Sequence, residues 1–548
     1  VACVLFAVLG LLAACTNYPP PPLVSAPPKQ HSAAEPTDLD QVVFGVDRFG
    51  KGFNPHRIAD QSTLTTALAT GMLPSVFRPA ADGSPQLDRT VMESAEVTSA
   101  DPFTVSYTIR TDAAWSDGVP VRAEDFLYLR DQMISQPGVV NPEGYRLITD
   151  IGTEDGGRVV RVRFAKPYPG WRSLFDNLLP GHILKDAPGG WDSALSDGYP
   201  ASAGPYMLGS LDRGRGEIML DRNDRYWARP SGIGHIMIRR SGIDDAVSAL
   251  RTDDSQLAAV SSDSGTAKAL AGLGSTARTV ALPRDAVAQI DLRPVGPLAD
   301  ERVRTAVAAA LDRTKLIKAG GGDRSARADA LTLAPSQPGY RSTMPGDAPG
   351  ARPAYATVRS KLSSAGYREG SGTWSLPTIT VVAAAGTEPY LSIAKEAVSE
   401  LEKAGIPAKL STPGAEQLYG SLQAADEKDQ AQLLVAPRTT GSDPASALAG
   451  WYGCPGNQPG TNTPYPDNPG QVCLRDLQPR IDKVVRGDEL LADALPGIEK
   501  GIWQRALAIP LFQVTDLLAI RSGIENVGTD PAAVAPFPSA PDWKRSRR

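Results

Sequence analysis

Apolar and polar positions along the chain fall into short blocks, and the period of each block predicts its conformation. QVVFGV (41–46) has the length and apolar character of a strand. The turn-rich GKGFNPH (50–56) then leads into a helix-compatible stretch through Leu73. In FTVSYTIR (103–110), Val105, Tyr107 and Ile109 share one face, the period-2 pattern of a half-buried strand. RVVRVRF (158–164) repeats it, with Val160, Val162 and Phe164 opposite Arg161 and Arg163. Between these blocks Asp117-Gly118 marks a tight turn, and Phe126, Leu127, Arg130 and Met133 recur at helical spacing.

Further along, Asp300 is placed to cap a helix whose apolar stripe is Val303, Ala306, Val307, Ala310 and Leu311. TITVVAAA (378–385) reads as a buried strand. It is followed by a helix with Leu391, Ala394, Val398 and Leu401 inward, a stop at Gly405, and a second strand in IPAKLS (406–411). Strand, helix and strand in that order predict a β-α-β unit with parallel strands. The fold class expected is mixed α/β in more than one lobe.

At 548 residues the chain exceeds one core and should hold two to four folding units. Apolar residues at 41% and charged residues at 21% fit a globular protein. Acidic side chains outnumber basic ones 61 to 56, so no basic field invites nucleic acid. The one low-complexity block is the proline-rich 19–28.

The longest apolar segment, 1–14, is too short to cross a bilayer, which takes about 20 helical residues. It fits the apolar region of a signal peptide. Leu12-Ala13-Ala14-Cys15 looks like a bacterial lipobox, in which cleavage precedes the cysteine and its sulfur receives a lipid. The expectation is a signal at 1–14 and a lipidated, proline-rich linker over 15–39 that holds the body off the membrane on its extracytoplasmic side. An ordinary secretory signal is the alternative. Cys454 and Cys473 stand in a Pro/Gly/Asn-rich stretch with eighteen residues between them, which in an oxidising compartment reads as a disulfide. Two free thiols are the other reading, and half a metal site lacks a neighbouring histidine.

Catalytic and cofactor motifs do not appear. The four histidines, His31, His56, His182 and His235, are far apart and form no metal-ligand spacing. AGGGDRS (319–325) lacks the ending of a phosphate loop and reads as a helix stop. No G-x-S-x-G elbow is present. Carboxylates that meet only in the fold leave a glycosidase pair open. No cofactor or metal is expected, and no motif announces an enzyme.

Several segments, taken in order, resemble family 5 extracytoplasmic solute-binding proteins, the dipeptide, oligopeptide and nickel binders of ABC importers. They are PFTVSYTIRTDAAWSDGVPVRAEDF (102–126), AGPYMLGSLDRGRGEIMLDRNDRYW (203–227) and LADERVRTAVAAALDRTKLI (298–317), with GFNPH, LSSAGY (362–367) and IPLFQV (509–514). The resemblance covers about 40–530. It implies a two-lobed, periplasmic-binding-protein-like (type II) α/β fold with an inserted subdomain. Lobe I would combine 40–75, 204–285 and 510–535, the insert would span 76–203, lobe II 286–509, and a basic tail 536–548. Within the family, LPSVFRP (73–79), QPGVVNPEGY (136–145), RNDRYW (222–227) and Tyr452-Gly-Cys-Pro resemble an actinobacterial lipoprotein group associated with phosphatidylinositol mannoside and lipoarabinomannan assembly.

The resemblance also bears on the site. Peptide-binding members present an aspartate to the peptide's α-amino group from a G-W-x-x-D-x-x-(D/E)-P segment. Anchored on Asp443-Pro444, that position here is Thr440, which cannot neutralise an ammonium; a three-residue slip would give the role to Asp443. Trp451 and Tyr452 are candidates for a glycan-facing platform, or for packing over the cysteine loop. Arg304 and Arg313 are expected to pair with carboxylates at helix ends. The KRSRR tail could touch anionic headgroups or remain solvated. The implied partners are the membrane, through the lipid anchor, and a glycolipid or small solute between the lobes. Membrane mannosyltransferases or an ABC permease would act beside them, with the protein itself a monomer.

Overall fold

A computed structural model describes residues 39–80, 82–322, 325–348, 350–421, 431–455, 464–465, 468–530 and 536–546. The apolar segment 1–14, Cys15 and the proline tract lie outside the described residues. Among the described residues no helix is long and apolar enough to cross a membrane.

One ten-stranded sheet organises the chain. Its order is Ala408–Ser411, Ile379–Val382, Leu433–Thr439, Ala277–Leu292, Ala508–Arg521, Leu257–Ser261, Gln41–Val46, His235–Arg240, Glu217–Arg222 and Tyr206–Asp212. The two long central strands, Ala277–Leu292 and Ala508–Arg521, run antiparallel through both halves of the sheet. Residues 277–283 pair with 515–521, and 287–291 pair with 508–513. The register breaks between Pro283 and Val287. Proline has no N–H for the ladder, and the break lets the paired strands bend there.

The bend is held by charge. Arg284 Nη2 lies 2.7 Å from Asp516 Oδ2, which also accepts from Arg284 Nε at 2.9 Å and from the Thr63 hydroxyl at 2.7 Å. On the far side, Gln513 Nε2 donates to the Arg284 carbonyl at 2.9 Å. The break thus ties the helix Thr63–Met72 to both central strands.

The β-α-β reading is found: Ile379–Val382 runs parallel to Ala408–Ser411, with the helix Tyr390–Lys403 between them in sequence. That helix buries Ile393, Ala394, Ala397 and Leu401, whereas Leu391 and Val398 are only half-buried. Its inward stripe keeps Ala394 and Leu401 but is rotated from the expected one toward Ile393 and Ala397. Asp300 caps the helix Glu301–Ala310 by accepting from Arg302 N, and Val303, Ala306, Val307 and Ala310 are all buried. Arg304 does not pair with a carboxylate at this helix start. Its guanidinium donates to the carbonyls of Leu298, Ala299 and Arg505, loop backbone that would otherwise go unsatisfied. Arg313 does find one, Asp329 at 2.7 Å.

A separate four-stranded antiparallel sheet has the order Met92–Ala100, Phe103–Ile109, Val159–Phe164 and Ile148–Glu154. Val105, Tyr107, Ile109, Val160, Val162 and Phe164 form its buried face, as their alternation predicts. They pack on Phe126 and Met133 of the helix Ala123–Ser135. Leu127, expected inward, is 37% exposed, because it lies one residue round from the buried Phe126.

The C-terminal segment also departs from the solvated tail. Trp543 is fully buried beside Phe537, and Lys544–Arg545 pairs with Ile524–Glu525. Arg545 binds Asp253 and the Gln41 carbonyl, so this cation is engaged by the protein itself.

The bend yields a direct test. Arg284→Ala leaves the Asp516 carboxylate with the Thr63 hydroxyl alone, at a cost of about 2–4 kcal/mol after allowing for the partial exposure of the arginine. Urea unfolding of the variant is expected to show that loss.

Candidate ligand-binding site

The second half of the sheet has two unlike faces. On Ala277–Leu292, Ala288, Ile290 and Leu292 point into an apolar core with Val303, Val307, Leu401 and Leu433. Gln289 and Asp291 alternate to the other face, where the register brings Arg438 of the neighbouring strand across from Val287. Arg438 Nη2 meets Asp291 Oδ2 at 3.0 Å, with side chains 7% and 5% exposed. Gln289 Nε2 donates to Asp291 Oδ1 at 2.6 Å. The Arg438 guanidinium also lies 5.1 Å from the centre of the Trp451 ring.

The sequence candidates follow one another out of this wall. Thr440 is 2% exposed, and its hydroxyl lies 3.0 Å from Gln337 Oε1 and 3.3 Å from the Asp285 carbonyl. Gln337 Oε1 is fixed as an acceptor because it takes the Ala334 N–H at 2.9 Å. Thr440 therefore sits between two acceptors, surroundings that suit a hydroxyl donor and oppose a carboxylate. Asp443 caps the helix Pro444–Tyr452 by accepting from Ala445 N and Ser446 N. Its Oδ2 also accepts the Tyr168 hydroxyl at 2.5 Å. Gly170 makes room for this contact, since a Cβ there would come within 2.2 Å of Asp443 Oδ2.

Trp451 and Tyr452 end that helix, 7% and 1% exposed. The Tyr452 hydroxyl and Gln289 Oε1 have no hydrogen-bond partner of good geometry among the described residues. Burial pushes the Tyr452 phenol well up. The predicted disulfide joins Cys454 to Cys473 directly beyond, and described residues on the second cysteine's side return to the pair. Asn468 Nδ2 donates to the Trp451 carbonyl at 2.8 Å, and Leu474 N to the Tyr452 carbonyl at 2.9 Å.

The facing wall comes from the segments between the four-stranded sheet and the main one, and sequence reasoning did not single out most of it. Asn141 Nδ2 donates to the carbonyls of Thr440 and Thr439 at 3.1 and 3.4 Å. Lys166 Nζ lies 3.2 Å from Asp482. Tyr168 reaches Asp443 as described, and burial, with the neighbouring Asp443 charge, holds its phenol far above the ordinary value. Behind Asn141, Val140 N donates to the His56 carbonyl at 2.8 Å. The His56 ring stacks on Trp191 with Nε2 donating to the Asn177 carbonyl at 2.9 Å. Burial lowers the pKa of His56 against the opposing pull of Asp176. His56 and Asn141 fall in the GFNPH and QPGVVNPEGY segments, the one available signal; Tyr168 and Asp176 carried none.

Two sheet halves threaded by a common strand pair, with polar walls meeting beside the bend, define a two-lobed binding protein of the periplasmic-binding-protein-like type. The chain belongs to family 5 of the bacterial extracellular solute-binding proteins, whose "family 5 Middle" model matches residues 87–459. Among its relatives is the "Probable monoacyl phosphatidylinositol tetramannoside-binding protein LpqW" of Mycobacterium tuberculosis, 32% identical over 95% of this chain and 94% of that protein. The oligopeptide-binding protein OppA of the same organism is 25% identical over 91% of this chain and 84% of its own length. The oligopeptide-binding protein AppA of Bacillus subtilis, solved with a nonapeptide, superposes with a TM-score of 0.75 at 15% identity, covering 94% of this chain and all of that one.

Two outcomes follow from this packing. Arg438→Ala strands the buried Asp291 carboxylate with only Gln289 as a donor, and equilibrium unfolding should show a loss of about 3–5 kcal/mol. Opening the Cys454–Cys473 bridge releases the closed loop, with a loss on the order of 3 kcal/mol. Thermal unfolding with and without reductant should report it, and Cys473→Ser should make the protein indifferent to reductant.

Proposed function

We propose that the protein binds the mannosylated head of a phosphatidylinositol mannoside, of the monoacyl tetramannoside kind, between its two lobes. By doing so it controls access to that intermediate in lipomannan and lipoarabinomannan synthesis. The observation that carries the reading is the 32% identity to LpqW along nearly the whole of both chains. Thr440 supports it. On the anchor at Asp443-Pro444, the amine-binding aspartate of peptide-binding relatives corresponds to Thr440, a buried hydroxyl between two acceptors. A peptide ammonium would meet no counter-charge from that residue.

Such a protein acts by binding. The ligand favours the closed arrangement by the difference in its affinity for closed and open states. The bend at 283–287 is where the lobes would hinge. Lipidation at Cys15 on the extracytoplasmic face would keep the protein beside a ligand that never leaves the bilayer. Membrane mannosyltransferases are the partners this role requires.

A second reading is a receptor that delivers peptide or another solute to an ABC permease. The OppA relationship and the nonapeptide-bound AppA likeness favour it. Isothermal titration with a monoacyl phosphatidylinositol tetramannoside and with di- and oligopeptides separates the two. The proposal expects saturable binding of the mannoside and none of the peptides. Tight peptide binding without mannoside binding would replace it by the receptor reading.

A further inference from the structure

The two walls of the candidate site meet each other directly, and the bonds between them run one way. From the end of the strand Gln41–Val46, Arg48 Nη1 donates to the Glu388 carbonyl at 2.7 Å, while its Nη2 is held by the Ser261 hydroxyl at 2.6 Å. Asn141 donates to the Thr439 and Thr440 carbonyls, Lys166 to Asp482, and the Tyr168 hydroxyl to Asp443. All four of these donors stand on the side of Gln41–Val46 and the four-stranded sheet. Their acceptors all stand on the side of the sheet half that holds Leu433–Thr439.

Glycines bring the backbones close enough for this. A Cβ at Gly138 would stand 3.2 Å from the Tyr419 carbonyl oxygen, and one at Gly450 would stand 3.3 Å from Glu143 Cγ. At Gly487 it would come within 2.6 Å of the Pro169 ring, and Gly170 clears the way to Asp443. Two of these glycines belong to each wall, and each meets the opposite one at a spacing that a larger residue would widen. Trp171 and Leu174 of one wall and Leu448, Trp451 and Val484 of the other are buried members of one continuous apolar core.

Walls shaped only to grip a ligand would leave their donors and acceptors unpaired and their backbones standing clear of one another. Here these polar groups are matched wall to wall, and the gap is closed to the scale of single atoms. We propose that this seam is a lock that holds the two halves shut by itself, so that the protein is mostly closed before a ligand binds and opens only transiently to admit one. Each contact is modest, and together they set the equilibrium at the bend toward closure. A ligand then adds to a closure already present, and the lock works alike for a mannoside and for a peptide.

Spin labels at two exposed positions report the separation of the halves in the full chain. They are Val97→Cys on the strand Met92–Ala100 and Tyr355→Cys on the helix Tyr355–Ser364, read by double electron–electron resonance with each single label as control. With no ligand added, the otherwise wild-type chain should give one dominant distance, that of the closed arrangement. Gly450→Val pushes a branched side chain against Glu143. Asn141→Gly removes two donations while suiting that residue's left-handed backbone, φ 48°. Both should move molecules to longer distances, and Asn141→Gly should raise the open-to-closed ratio about tenfold for the loss of two neutral hydrogen bonds. Its circular dichroism should match the wild type. An unliganded wild-type chain found mostly at long distances, or a folded variant that keeps the wild-type distribution, overturns the lock and leaves the functional reading intact. A chain that shows these distances yet takes no mannoside upholds the lock and overturns the functional reading alone.

Discussion

Two strands that belong to both halves of one sheet constrain everything else in this molecule. Backbone ladders along 277–283 with 515–521 and along 287–291 with 508–513 make each half stiff. Relative motion is left to the short break at Pro283–Val287. Pro283 and Arg284 are half-buried and Asp285 is exposed there, yet several polar groups of the break are paired from within. Arg284 with Asp516, Gln513 with the Arg284 carbonyl, and Thr440 with the Asp285 carbonyl do this. The last of these ties the wall of the candidate site to the bend, with both the Thr440 N–H and its hydroxyl donating to the Asp285 carbonyl. A ligand that moved residue 440 would act on the bend directly.

The contacts across the two walls are of a kind that a ligand could outweigh. The Lys166–Asp482 pair is partly exposed, and such pairs contribute about 0–1 kcal/mol. The Asn141 donations and the Tyr168–Asp443 bond add a few more polar contacts. These are modest beside the buried Arg438–Asp291 and Arg284–Asp516 pairs within the body. The distribution suits a protein whose lobes are fixed and whose meeting is adjustable, in which differential ligand affinity sets the balance.

Much of the scaffold was legible in the sequence, where local pattern and tertiary burial agree. The alternation at Val105, Tyr107 and Ile109, the Asp300 cap and the β-α-β unit are all found, because each is written in a local pattern of residue types. Legibility failed where the partner is remote. Arg304 bonds the carbonyl of Arg505, and Trp543 is buried beside Phe537, which itself packs on Phe44, rather than trailing in solvent. The candidate site divides in the same way. Thr440 and Asp443 are singled out by one motif and Trp451 and Tyr452 by their place just past it, yet Tyr168 meets Asp443 across 275 positions with nothing in its own segment to announce it.

The central claim is that a mannosylated lipid occupies this protein, and what the protein carries when taken from its own membrane tests it most directly. Native mass spectrometry of the chain extracted from cells in mild detergent should show an adduct whose fragments include mannose and a phosphatidylinositol core. A co-purified population of peptides, with no glycolipid, would contradict the account.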